Sequence, residues 1–247
     1  MKIGLLGGYG LHDLLENPIV NEQKAIFNDE KIHGKFPKFH VFQGEVEGKK
    51  VVIIPRHGVA HNIPPHKVPF KSIITKFIEL GVDKIITINS VGILNTKYKK
   101  PSFFIISDFV NMGKEVTFFD LFEDEAHHTN MSKPYDEETN KVIEDVMRNL
   151  GLTFYRDVVY VNSHGPRLET PSEIKRKYAP LGDIIGMTNA YEVILANEKN
   201  IPISSIGIGV NYAEGLGECA DFNEMKAMMK KMQSDIHRVL KEVIKRL

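Results

Sequence analysis

The sequence predicts an α/β fold built on a central mixed sheet with helices on its flanks. Three observations carry this. Short apolar, β-branched runs recur along the chain, several of them separated by helical patterns of about 10–15 residues. Two neighbouring runs are joined by a short polar turn, which is the mark of a hairpin and makes the sheet mixed. No internal repeat, low-complexity tract or linker rich in Gly, Ser or Pro interrupts the pattern, so residues 1–247 are expected to form a single domain.

Taken in order, KIGLL (2–6) runs into GGYG (7–10) and reads as a buried strand ending in a tight glycine loop. FHVFQGEV (39–46) and KVVIIP (50–55), with Gly48 between them, form the hairpin-type pair. From Lys67 to Gly81 the apolar positions Val68, Ile73, Ile74, Phe77, Ile78 and Leu80 follow Pro64 and Pro65 and stop at glycine, as in an amphipathic helix. KIITIN (84–89), FFIIS (103–107), DVVYV (157–161), DIIGM (183–187) and PISSIGIGV (202–210) are the remaining strands. Helices are expected over 136–150, 171–180, 190–200 and the long periodic stretch from Asp221 to Leu247. The segment 111–135, with Phe118, Phe119, Phe122, the acidic run EDE and His127–His128, is the one long loop, a common place for lids and binding loops.

Composition narrows the function. With 32 basic and 32 acidic residues the formal net charge is zero, so no long-range field draws a polyanion and no nucleic-acid partner is expected. Any bound anion should be small. A hydrophobic content of 42% suits a soluble globular chain, which at this length buries roughly 70–75% of its unfolded surface. No apolar run approaches the ~20 residues that cross a bilayer, so no membrane association is expected. Cys219 is the only cysteine, and no signal-peptide pattern is read, which points to the cytoplasm.

Chemistry-bearing residues collect at strand ends. The GGYG loop offers backbone N–H groups to a phosphate, or serves only as a turn. It lacks the third glycine of a dinucleotide fingerprint and the Lys-Ser/Thr pair of a P-loop. Arg56 and His57 follow KVVIIP beside Gly58, and arginine's forked donors fit an oxyanion. TINSVG (87–92) brings Asn89, Ser90 and Gly92 to a third strand end, and in open α/β sheets ligands gather where such ends converge. In HGPRLETPSEI (164–174), Glu169 precedes a helix whose first turn suits Pro171, and it either caps that helix or faces a ligand. Met187 and Thr188 lie at a strand–helix junction with Glu192 one turn on. Asn211, in VNYAEG, closes the last strand with an amide that both donates and accepts, as a purine edge requires. The final helix carries Phe222, Met225, Met228, Met229 and Met232 on a stripe that is mainly core, with soft methionines near its start able to line an apolar pocket.

In order, GGYGLHD, RHGVAHNIPPHKV, TINSVGIL, TFFD, HTNMSKPY, HGPRLETPSEI, GMTNAYEVILA and GVNYAEG resemble the trimeric purine nucleoside phosphorylase and methylthioadenosine phosphorylase family over nearly the whole chain. The resemblance implies a partly barrel-like mixed sheet, a pentosyltransferase, and a homotrimer or dimer of trimers with sites near subunit interfaces. Phosphate would attack C1′ of the ribose as the purine leaves, giving free purine and a ribose or methylthioribose 1-phosphate. Phosphate is then a co-substrate, with no cofactor or metal required.

Residue by residue, the resemblance implies phosphate binding by Gly8, Tyr9, Arg56, His57, Asn89, Ser90 and Thr188. It implies nucleoside binding by Ser90, Val91, Gly92, Leu168, Glu169, Met187, Asn211, Phe222 and Met225. His128 matches a loop histidine that reaches the neighbouring subunit's site. Asn211, Glu169 and Arg56 are the catalytic candidates. Asn211 would donate to O6 and accept from a protonated N7 while Glu169 accepts from N1–H, which suits a 6-oxopurine. Adenine-specific members carry aspartate at the Asn211 position. Expected substrates are therefore 5′-methylthioinosine, inosine or guanosine. Two alternatives stand beside this: a 5′-methylthioadenosine phosphorylase, and a non-catalytic nucleoside-binding homologue, because Tyr9 stands where the family usually has Ser or Thr. Asn189–Ala190–Tyr191 also replaces a Thr-Val-Pro-like segment.

Overall fold

The computed structural model describes residues 1–8, 11, 24–27, 39–122, 125–217 and 221–247, with backbone alone at 24–27 and 222. Tyr9, Cys219 and the side chain of Phe222 lie outside the described residues. The strands are β1 (Lys2–Gly7), β2 (Lys24–Phe27), β3 (His40–Val46), β4 (Lys49–Pro55), β5 (Lys84–Ile93), β6 (Ser102–Asn111), β7 (Phe154–Asn162), β8 (Ile184–Gly186) and β9 (Ile203–Tyr212). The helices are α1 (Phe70–Glu79), α2 (Glu137–Asn149), α3 (Asn189–Glu198) and α4 (Phe222–Arg246).

All nine strands join one mixed sheet in the order β2-β3-β4-β1-β5-β8-β7-β6-β9, and a further parallel pairing of β9 with β5 closes the last five into a barrel. The hairpin expected at 39–55 is present. Glu47 and Gly48 both take positive φ, 48° and 77°, the backbone of a two-residue turn whose twist matches its strands. β1 is buried along Ile3–Gly7 between parallel β4 and β5, so KIGLL has no polar face to present.

Two apolar layers cover the sheet. Phe70, Ile73, Ile74 and Phe77 of α1 and Val193, Leu195 and Ala196 of α3 pack in one cluster with Leu6, Val52, Ile54 and Val91. Ile143, Val146 and Met147 of α2 pack with Met229, Met232, Ile236, Val239, Leu240 and Val243 of α4 and with Ile3, Leu5, Ile53 and Ile86 from the strands. Alternate residues of the central strands therefore serve opposite clusters, as the period of two requires.

The helix expected over 171–180 is broken. It consists of helical turns at Pro171–Glu173, Ile174–Tyr178 and Ala179–Leu181, with Ile174 and Tyr178 buried. Pro180, which offers no N–H, sits in the last of these turns, which stops at Leu181. The helix expected from Lys67 begins later, at Phe70, after a single tight turn at Pro65–Lys67.

Candidate active site

Strand direction builds the site. β1 is parallel to β4 and to β5, and β5 to β9, so Gly8, Arg56 and Asn211 all emerge at the same edge of the sheet. β8 runs antiparallel to β5 with Gly92 opposite Ile185, and continuing that register brings Thr188 back beside Asn89, where its hydroxyl lies 3.3 Å from Asn89 Oδ1. A bulge in the β5–β9 pairing skips Val210, setting Asn211 rather than Val210 opposite Gly92. These ends enclose a cavity of about 680 Å³, within the size range of small-molecule sites.

The cavity gathers Gly8, Arg56, His57, Asn89, Ser90, Val91, Gly92, Leu168, Glu169, Met187, Thr188, Asn211 and Met225. These are thirteen residues singled out in the sequence, from seven separate segments. Glu169 is not the cap of the following helical turn. Thr170 holds that place, its hydroxyl accepting from the Glu173 amide while the Glu173 carboxylate accepts from the Thr170 amide. Glu169 is thus left to line the cavity. His128 does not line it: that side chain is exposed on the 112–136 connection, with its ring 5.8 Å from Phe122.

At the Gly8 end of the cavity, Arg56 is 2% exposed and already engaged. Nε donates to Glu192 Oε1, Nη2 donates to Glu192 Oε2 at 3.0 Å and to the Leu6 carbonyl at 3.2 Å, and Nη1 donates to the Ile88 carbonyl at 3.0 Å. Of five N–H groups, one on Nη1 remains. Nη1 lies 3.7 Å from where a Cβ on Gly8 would stand, so the absence of a side chain there opens the approach. Burial pushes the Glu192 carboxyl up, and the charge and hydrogen bonds of the Arg56 guanidinium pull it back down.

His57 Nδ1 lies 2.7 Å from the Ile63 carbonyl, which only accepts, so Nδ1 carries the proton and Nε2 is an acceptor. Burial, helped by the Arg56 charge, lowers this imidazole to about 3. The helix start next to it is not an open anion site. Tyr160 Oη accepts from the Thr188 and Asn189 amides, and Asn162 Oδ1 from the Ala190 amide.

Toward the other end, Gly165 at φ 58° lies against Met187, and a Cβ there would stand 2.4 Å from Met187 Sδ. Asn211 Nδ2 donates to the Tyr212 carbonyl at 2.9 Å, which fixes the amide and leaves Oδ1 and one N–H unspent. The sequence reading missed His61, Asn62, Pro166, Glu214 and Lys226, all of which line the cavity. His61 enters because Gly58 and His61 take positive φ, 76° and 50°, turning the chain so that the two histidine rings lie 4.8 Å apart. Among the described residues no group of three or more His, Cys, Asp or Glu is placed to hold a metal ion. Nor is any described helix long and apolar enough to cross a membrane.

Comparison with known proteins agrees with this geometry. The family model described as the phosphorylase superfamily matches residues 2–245. An S-methyl-5′-thioadenosine phosphorylase of Thermofilum pendens is 34% identical, covering 99% of this chain and 91% of its own length. A 6-oxopurine nucleoside phosphorylase of Pyrococcus furiosus is 32% identical over 97% and 90%. A probable S-methyl-5′-thioinosine phosphorylase of Methanocaldococcus jannaschii is 34% identical over 98% and 91%. Among solved structures, methylthioadenosine phosphorylase from Schistosoma mansoni in complex with adenine superposes with a TM-score of 0.86 at 22% identity, covering 99% of this chain and 90% of that one, which is likeness of fold.

Proposed function

The chain belongs to the phosphorylase superfamily, among the purine nucleoside and methylthioadenosine phosphorylases, which are pentosyltransferases, and on that premise we propose that it catalyses reversible phosphorolysis of a 6-oxopurine nucleoside. 5′-Methylthioinosine is the first candidate substrate, with inosine and guanosine beside it. The products are free purine and the 1-phosphate of the ribose or methylthioribose.

The observation that carries the choice of purine is the anchored amide of Asn211. With one N–H held by the Tyr212 carbonyl, it offers one donor for O6 and one acceptor for a protonated N7. Glu169 lines the same cavity and supplies an acceptor for N1–H. Together they disperse the charge that leaves with the base. Met187 packs beneath the sugar, held by Gly165. Met225 and Met229 of α4 line the cavity and suit an apolar 5′ substituent. Phosphate enters between Gly8 and Thr188, meeting the spare Arg56 N–H and the second Asn89 N–H, while the Thr188 hydroxyl, whose one proton goes to Asn89 Oδ1, accepts from a protonated phosphate oxygen. A protonated phosphate oxygen can donate to His57 Nε2. Phosphate is the only co-reactant, and His128 serves a neighbouring subunit of a homotrimer or dimer of trimers.

A second reading, 5′-methylthioadenosine phosphorolysis, is favoured by one observation: relatives of near-equal identity carry that name. Purine release from 5′-methylthioinosine, inosine and 5′-methylthioadenosine, each with and without phosphate, separates the two. Phosphate-dependent release favouring the oxopurines is expected. Release indifferent to phosphate, or preference for the adenine nucleoside, overturns the proposal. No release from any of the three leaves the binding homologue, with Tyr9 as its cause.

A further inference from the structure

Behind the anion end lies a fully buried chain of polar side chains that does not itself line the cavity until its last links. Tyr135 Oη donates to Asn189 Oδ1 at 2.7 Å. Asn189 Nδ2 donates to Thr87 Oγ1 at 3.0 Å and to Ser205 Oγ at 2.8 Å. Thr87 Oγ1 donates to Ser205 Oγ at 2.8 Å and accepts from Asn89 Nδ2 at 3.0 Å. Asn89 Oδ1 then accepts from Thr188 Oγ1. Thr87, Asn189 and Ser205 are wholly buried and absent from the cavity wall, whereas Asn89 and Thr188 form part of it.

The donor count gives the arrangement a direction. Thr87 Oγ1 accepts two N–H groups, from Asn89 and Asn189, and gives its one proton to Ser205, so its capacity is full. The Asn89 amide therefore must turn its NH₂ toward Thr87, with Oδ1 toward Thr188 and the second N–H left over. Removing the Asn189 donors frees Thr87 to point its proton at Asn89, and the amide can then flip and bring a carbonyl oxygen to a place meant for an anion.

We propose that Asn189 is a positioning residue: through Thr87 it fixes the Asn89 amide in the one orientation that leaves its second N–H, rather than a carbonyl oxygen, for phosphate. This rests on phosphate occupying the Arg56–Thr188 end of the cavity. It also gives a use to a residue that in the sequence stood out only as a departure.

The test compares wild type, Asn189→Leu, Ser205→Ala and Tyr135→Phe by steady-state kinetics, with phosphate and nucleoside varied separately, and by the phosphate-induced shift in Tm. For Asn189→Leu the phosphate KM should rise about tenfold or more, the size expected when a hydrogen bond to a charged group is lost. The nucleoside KM should stay within about twofold. Tyr135→Phe and Ser205→Ala, further from the anion, should move the phosphate KM the same way by about two- to fivefold. If Asn189→Leu fails to fold, those two variants carry the test. An unchanged phosphate KM in the folded variants, or equal rises in both KM values, overturns the inference while leaving the proposed reaction standing. A wild type that neither binds phosphate nor depends on it removes the reaction and the inference together.

Discussion

Lowering the pH should expose the cost of burying His57. The imidazole titrates near 6.5 in an unfolded chain and is lowered to about 3 in the fold, first by burial, then by the Arg56 charge, with His61 adding to them and the Ile63 carbonyl opposing. The native state thus binds fewer protons than the unfolded state between these values. Its contribution to stability is complete above 6.5 and is withdrawn as the pH falls toward 3. One proton is worth about 1.4 kcal/mol per pH unit, so at pH 5.5 the loss is at most about 1.4 kcal/mol and at pH 4.5 at most about 2.7 kcal/mol. The side chain is half-buried, which makes these upper values. For a domain of this size 1 kcal/mol moves Tm by about 2–4 °C. Thermal unfolding in phosphate-free buffers at pH 7.5 and 5.5 should therefore show a larger drop for wild type than for His57→Gln, by up to about 3–6 °C, whatever other carboxylates contribute to both. Parallel pH profiles for the two proteins would refute the assignment of a buried, neutral, Nδ1-protonated His57.

Three further outcomes follow from the geometry. Glu192→Gln leaves Arg56 buried without its carboxylate, a change expected to cost about 3–5 kcal/mol; phosphate should restore Tm by more in this variant than in wild type, and equal phosphate-induced gains in a Tm titration would count against Arg56 as an anion contact. Gly165→Ala places a Cβ at φ 58° and 2.4 Å from Met187 Sδ, so the nucleoside KM should rise about tenfold with the phosphate KM held within about twofold, and a phosphate effect of equal size would argue that Met187 does not serve the sugar. Asn211→Asp removes the donor to O6 while keeping an acceptor, so the ratio of kcat/KM for methylthioadenosine over methylthioinosine should increase at least about tenfold; an unchanged ratio removes Asn211 from purine selection.

How far the sequence foretold this molecule depends on the range of the interaction. Runs such as KVVIIP and KIITIN announce buried parallel strands because both faces of β4 and β5 are covered, and each strand end carries its polar residues in the next few positions. That is why Arg56–His57, Asn89–Gly92, Met187–Thr188 and Asn211 were legible as separate local signals. Pairings across long separations were not. Glu192 lies 136 residues from Arg56, and nothing local says that its carboxylate takes two of the five guanidinium donors. The bend that brings His61 inward depends on a positive φ at a residue other than glycine, which leaves little trace in sequence. Lys226 sits one position along from Met225 on a helix whose stripe reads as core, and only the placement of α4 over the strand ends puts it in the cavity wall.

The same long-range pairings change what the proposed phosphate end of the cavity offers an anion. Sequence alone puts a cation beside a glycine loop and a strand-to-helix turn, three features that each favour negative charge. In the fold, Glu192 balances the arginine, Tyr160 and Asn162 take the helix amides, and burial keeps His57 neutral. Among the described side chains at that end, Arg56 keeps one guanidinium N–H and Asn89 one amide N–H, beside the Thr188 hydroxyl, whose proton goes to Asn89, and the His57 imidazole acceptor. On the proposed reading, a phosphate bound there is held by directed hydrogen bonds more than by net charge, so its affinity depends on how firmly each donor is aimed. The buried polar residues behind the site matter for the same reason: where charge does not steer the anion, the orientation of a single amide decides whether the pocket meets it with a proton or with another oxygen.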